Sequence, residues 1–173
     1  MAEPFPDTGL ALAPLYDEPF MAAVPSAHPL AGRKAVTAQE LKAETMLLLG
    51  TGHCFRDHVL EVCPEFARFS SDAEGIRKSF EGSSLETIKH MVAAGMGVTL
   101  VPRLSVPKEA LEPKASRRRK DDDTFVKYIP FDGDPPMRRV VLAWRRSFTR
   151  YEAIASLRNA IYACELPGVK RLS

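Results

Sequence analysis

The residues able to do chemistry crowd into one stretch, Gly50 to Pro64, which holds two of the three cysteines, Cys54 and Cys63, nine positions apart. The apolar run Thr45 to Leu49 before it predicts a buried strand, Gly50 and Gly52 a turn, and Pro64 a stop. Cys54 therefore stands where a strand turns into a helix. The first turn of a helix exposes unpaired N–H groups and the positive end of the macrodipole, and both favour a thiolate over a thiol. His53 and Arg56 add positive charge nearby. Because the thiolate is the nucleophilic form, Cys54 is a candidate for selective oxidation or covalent catalysis, and the competing reading is a buried, unreactive thiol.

Cys63 lacks those neighbours and reads as a core-facing residue beside Val59, Leu60 and Val62. On a regular helix, nine steps of about 1.5 Å and about 100° put the two cysteines about 13 Å apart on opposite faces. A disulfide needs Cα atoms within about 7 Å. No Cys54–Cys63 bond can form on an intact helix, so the pair is either inert or a switch. His58 and His90 lie on helices without a second ligand at a recognised metal spacing, and a solvated face is expected for both. Cys164, at the end of a helix, is expected to be structural or surface. No metal or cofactor is expected.

The elements around this stretch alternate strand and helix. Leu10 to Ala13 predicts a short edge strand, and Leu15 to Pro25 a strand interrupted by a turn-like Asp17-Glu18-Pro19. Thr37 with Glu40 forms a capping box for a short helix. A second box, Ser83 with Glu86, opens a helix whose apolar side is Leu85, Ile88, Met91 and Val92, ended by Gly95 at C′. These caps could also face an anionic effector. Val98 to Val101 is a short buried strand, Phe125 to Phe131 alternates like a half-buried strand, and Val140 to Trp144 is a further strand with basic residues at both ends. Tyr151, Ile154, Leu157 and Ile161 predict an amphipathic helix ending near Cys164. Residues 66–79 read as a loop with a helical turn. Lys108 to Asp123 reads as a charged linker in which Arg117 to Lys120 is cancelled by Asp121 to Asp123, a solvated loop rather than a DNA-contacting patch. The whole is an α/β fold with mostly parallel sheet order.

Composition sets outer bounds. A chain of 173 residues, 45% hydrophobic and 27% charged, suits one domain or two small lobes. A net charge of +2 and a pI near 8.5 are too weak to imply nucleic-acid binding. No run approaches the ~18 apolar residues of a membrane helix, and the opening residues do not fit a signal peptide, so a cytoplasmic location is expected, with no membrane partner. An odd cysteine count without short repeated spacing argues against a secreted disulfide framework or a zinc finger.

Three stretches carry a resemblance to a family. Pro14 to Pro19 with His28-Pro29-Leu30, Ser84 to Thr87 running through Val92 to Pro102, and the C-terminal strand and helix resemble the effector-binding region of LysR-type transcriptional regulators. Within them, Gly52-His53-Cys54-Phe55-Arg56-Asp57 with Cys63 is similar to the signature of the OxyR-type hydrogen-peroxide sensors. The resemblance implies a two-lobed, periplasmic-binding-protein-like fold with Rossmann-like lobes. Residues 1–19 and 132–173 would belong to an incomplete first lobe and 20–131 to a second lobe carrying the cysteines, with an apolar face of the first lobe left uncovered.

The resemblance also implies Cys54 as the peroxidatic thiol and Cys63 as the resolving thiol of a redox disulfide, with His53 and Arg56 orienting the thiol and peroxide. It implies hydrogen peroxide as effector, self-association into dimers or tetramers, contact with RNA polymerase, and DNA binding only through a helix-turn-helix domain not present in these residues. The function expected is redox control of transcription rather than enzymatic turnover. The alternatives are a LysR-type domain that binds a small organic effector without thiol chemistry, and a thiol peroxidase.

Overall fold

The computed structural model describes residues 1–2, 9–64, 79–111 and 125–172. The predicted loop at 66–79 and the charged linker up to Asp123, including Arg117 to Asp123, lie largely or wholly outside the described residues. The chain divides into two compact units, one of Met1–Pro19 with Met137–Ser173, the other of Phe20–Pro136.

In the second unit, β2 (Met46–Leu49) is buried at all four positions, as its unbroken apolar run requires. It pairs in parallel with β3 (Ser79–Gly82). On its other side Leu47 N donates to Val98 O at 2.8 Å, next to β4 (Thr99–Pro102). β4 pairs antiparallel with β1 (Leu10–Pro25), from Phe20↔Pro102 to Ala23↔Thr99, and β1 pairs antiparallel with β5 (Val126–Pro130). Among the described residues the expected parallel order is therefore confined to β2 with its neighbours and to an isolated Val36–Phe131 bridge. The chain enters this unit along β1 and leaves it along β5, and neighbouring entry and exit strands must run in opposite directions.

Helices cover this sheet. The capping box of α1 (Ala38–Leu41) forms as expected, with Glu40 N donating to Thr37 Oγ1 and Thr37 N donating to the Glu40 carboxylate. α3 (Leu85–Ala93) buries Ile88 and Val92. Its N-cap differs from the expected Ser83–Glu86 box. Ser84 is the cap and accepts from Thr87 N at 3.1 Å, while Glu86 pairs instead with Lys89. The C-terminus ends as the sequence predicts: Gly95 adopts φ +78°, Gly95 N donates to Val92 O and Met96 N to Met91 O, a Schellman motif.

In the first unit, the predicted break at Asp17-Glu18-Pro19 is absent: β1 is one strand of 16 residues. Its first part pairs antiparallel with β6 (Met137–Arg145), with one irregularity between Pro14 and Tyr16 where a proline cannot donate to the ladder. The acidic pair that reads locally as a turn is neutralised across the ladder, Glu18 by Arg138 and Asp17 by Arg139. β7 (Lys170–Arg171) pairs with Tyr16 and Asp17. α4 (Tyr151–Ala163) spans the predicted length but buries no residue, and Tyr151 and Leu157 are 63% and 50% exposed. Tyr162 ties its last turn down by donating to Leu172 O at 2.7 Å.

Candidate functional site

Cys54 is positioned by a strand, a turn and a helix in immediate succession. Four buried residues fix β2, and Gly50 N donates to Gly82 O at 3.1 Å, which sets the loop after β2 beside the loop after β3. Gly52 takes φ +92°, a left-handed conformation that side-chain-bearing residues avoid. His53 is then extended and acts as the N-cap, with no side-chain hydrogen bond to the helix, and α2 (Cys54–Val62) begins at Cys54. The Cys54 thiol is exposed.

The helix is strongly two-faced. Phe55, Arg56, His58 and Val59 are buried, whereas Cys54, Asp57 and Glu61 are exposed. Phe55 packs edge-on against Phe20, with ring centroids 5.5 Å apart. Arg56 lies on the inner side, where Nη1 donates to Leu49 O at 3.0 Å, tying the first helical turn to the end of β2. The structure thus puts His53 and Cys54 together at the exposed start of α2 and Arg56 beneath them. Cys63 is the C-cap, with no exposed surface, and its N–H donates to Val59 O. None of the three cysteines is in a disulfide. By helical rise the two ends of α2 lie about 13 Å apart.

His58 corrects the expectation of a solvated face: it is 3% exposed, its ring centroid 6.2 Å from that of Phe20. The signal was available in the spacing, since His58 follows Phe55 by three and adjoins Val59 on the apolar stripe. His90 is exposed, as expected. Cys164 caps α4 at the surface, its thiol donating to Ala160 O at 3.3 Å. Among the described residues no group of three or more His, Cys, Asp or Glu side chains could hold a metal ion, and no helix is long and apolar enough to cross a membrane.

Comparison with known proteins decides the family. The model of the LysR substrate binding domain matches residues 1–163. The chain belongs to the LysR substrate-binding domain family. It is 38% identical over 145 residues to the DNA-binding transcriptional dual regulator OxyR of Escherichia coli K12, covering 82% of this chain and 42% of that protein. The chain thus spans less than half the length of that relative. Among solved structures, a reduced form of OxyR from N. meningitidis matches with a TM-score of 0.84 at 38% identity, covering all of this chain and 74% of the other. The reduced OxyR regulatory domain of Pseudomonas aeruginosa matches at 0.72 and 37%, covering 95% and 71%. These neighbours give the fold as the two-lobed, periplasmic-binding-protein-like α/β architecture.

Proposed function

We propose that this chain is the peroxide-sensing region of a LysR-type transcriptional regulator, with Cys54 as the peroxidatic and Cys63 as the resolving thiol. The observation that carries the reading is the placement of two thiols at opposite ends of one helix, the first exposed and the second wholly buried. The similarity to peroxide-inducible activators supports the choice of effector.

The Cys54 thiolate attacks one oxygen of hydrogen peroxide, the O–O bond breaks, and the departing hydroxide takes a proton to leave as water, so that Cys54 becomes a sulfenic acid. The Cys63 thiolate then attacks that sulfur, the S–O bond breaks with loss of a second water, and a disulfide forms. His53, beside the thiol, and Arg56, which anchors the first turn of α2, orient the reacting sulfur. The disulfide cannot span an intact α2, so the helix must unwind and release Phe55 and Val59 from the core. A disulfide couple supplies about 1.4 kcal/mol for each ~30 mV of separation from the ambient potential, enough at modest separation to remodel one short helix.

In this reading residues 1–19 and 132–173 form the first lobe and 20–131 the second. The remodelled lobe alters self-association and contact with RNA polymerase, while a helix-turn-helix domain elsewhere in the regulator binds DNA in the cytoplasm. The region is a sensor that holds its state and not an enzyme. Mass spectrometry after one equivalent of peroxide tests it: Cys54 should be oxidised first and then linked to Cys63. Oxidation of Cys164 with Cys54 left as a thiol would overturn the reading, as would an unchanged effector response in Cys54→Ser.

A further inference from the structure

The arginines of the first unit fall into two groups. Arg138 and Arg139 are paired with Glu18 and Asp17, Arg158 lies over the Tyr162 ring, and Arg171 donates to the carbonyls of Tyr162 and Cys164. Arg145, Arg146 and Arg150 are exposed, and among the described residues their guanidinium groups have no hydrogen bond or ion pair. Arg145 ends β6, Arg146 lies in the turn that follows, and Arg150 is the N-cap of α4. Phe148 and Tyr151, which are 42% and 63% exposed, sit among them.

This turn is held in shape by its own backbone. Phe148 N donates to Arg145 O at 2.9 Å, Tyr151 N to Thr149 O at 3.0 Å, and Ala153 N to Arg150 O at 3.2 Å. Residues 145–152 carry three arginines against the single carboxylate of Glu152. A charge run on a slack loop is ordinarily a solvated face. Here the backbone of the turn is hydrogen-bonded to itself, so a partner need not order it on binding. Arginine, tyrosine and phenylalanine are also the residue types concentrated in the buried parts of protein interfaces.

Two further large apolar side chains of the same unit are exposed. Leu12, opposite Ala143 on the β1–β6 ladder, is 41% exposed, and Leu157, farther along α4, is 50% exposed. A nucleic-acid backbone offers phosphates but no aliphatic groups to cover such residues. We infer that the β6–α4 turn is a docking site for an acidic protein segment that carries apolar side chains among its carboxylates. Its carboxylates pair with Arg145, Arg146 and Arg150, and its apolar side chains cover Phe148 and Tyr151. The inference is independent of the thiol chemistry.

The test is a backbone-amide NMR titration of the 173-residue chain with a capped decapeptide alternating Glu and Leu, up to about 1 mM. Shifts should concentrate in residues 144–157, and affinity should fall about tenfold as salt rises from about 0.05 to 0.5 M. R145A/R146A/R150A should lose about tenfold in affinity and F148A about threefold. R145E/R146E/R150E should lose the acidic peptide and gain the matching Lys–Leu peptide, a rescue that misfolding cannot produce. Absent or scattered shifts, or affinity unchanged in the triple alanine variant, would overturn the inference. So would a twelve-base-pair DNA duplex that binds the turn more tightly than the peptide and is unaffected by F148A, which would point to phosphate recognition instead.

Discussion

Cys54 and Cys63 are the first residue and the C-cap of the same helix, one exposed to solvent and the other with no exposed surface. Any bond between them must dismantle the nine residues of α2. Oxidation should therefore lower the far-ultraviolet helical signal by about one helix of that length, in step with disulfide formation followed by mass spectrometry. Cys63→Ser should keep the helical signal after peroxide while Cys54 is still oxidised. A disulfide formed with unchanged helicity would show that α2 is not the element that moves.

Arg56 gives a second prediction. Its Nη1 donates to Leu49 O from a buried position, joining the turn that carries Cys54 to the end of β2. Arg56→Met keeps much of the apolar stem but leaves that carbonyl short of a donor, at an expected loss of about 1–3 kcal/mol in urea unfolding. Because the loss falls on the first turn, peroxide should also oxidise Cys54 at a changed rate, with little effect on Cys164. Equal rate changes at both cysteines would point to general loosening rather than to an anchor for the site.

What could be read from the chain was local. The run Met46 to Leu49 followed by two glycines, the Thr37–Glu40 box and Gly95 at C′ involve residues a few positions apart, and each forms as expected. Two local expectations failed, the Ser83–Glu86 box and the exposure of His58, and the rest of what escaped depends on distant partners. Asp17-Glu18-Pro19 reads as a turn because acidic residues beside proline disfavour a strand. Arg138 and Arg139, some 120 residues away, supply the countercharges that keep the strand continuous. The direction of β1 relative to β4 and β5 is likewise set by where the chain enters and leaves the unit, which no periodicity records. At the candidate site, the start of α2 at Cys54 was readable from its turn, whereas the inward turn of Arg56 was obscured because a charged residue is expected outside.

Gly97 supplies a third prediction, since a Cβ there would stand 2.4 Å from Thr45 O and 3.2 Å from Leu47 Cγ. The contact with Thr45 is to backbone, which cannot swing aside. Thr45 is also where Val98 N donates, at 2.9 Å, in the contact between β2 and β4. Gly97→Ala should therefore push these strands apart and cost about 1–3 kcal/mol, with β2 amides exchanging faster with solvent. Gly95→Ala has open space around the new Cβ but must adopt φ +78°, and should cost about 1–2 kcal/mol without altering exchange in β2. Equal protection of β2 in both variants would count against the close approach at Gly97.

The two ion pairs across the β1–β6 ladder should behave differently with pH and on substitution. Arg139 donates to both carboxylate oxygens of Asp17, at 2.8 and 3.0 Å. That hydrogen bonding, reinforced by the charges of Arg139 and Lys170, outweighs partial burial and holds the Asp17 carboxyl below its ordinary value. A depressed acid favours the folded state when ionised, so its contribution is complete above the unfolded value near pH 4 and is lost as pH falls through the folded value. With Arg139 46% exposed, the pair contributes only about 0.5–1 kcal/mol. Asp17→Asn should therefore be slightly less stable than the parent at pH 7, and the gap should close on acidification below about pH 4. Glu18 is 1% exposed beneath Arg138, and Glu18→Gln removes the buried negative charge of that pair, for a loss of about 1–3 kcal/mol at pH 7. Urea midpoints of the parent and both variants at pH 7 and pH 3 separate the two pairs. A gap for Asp17→Asn that is the same at both pH values would refute the assignment of its effect to the Arg139 pair.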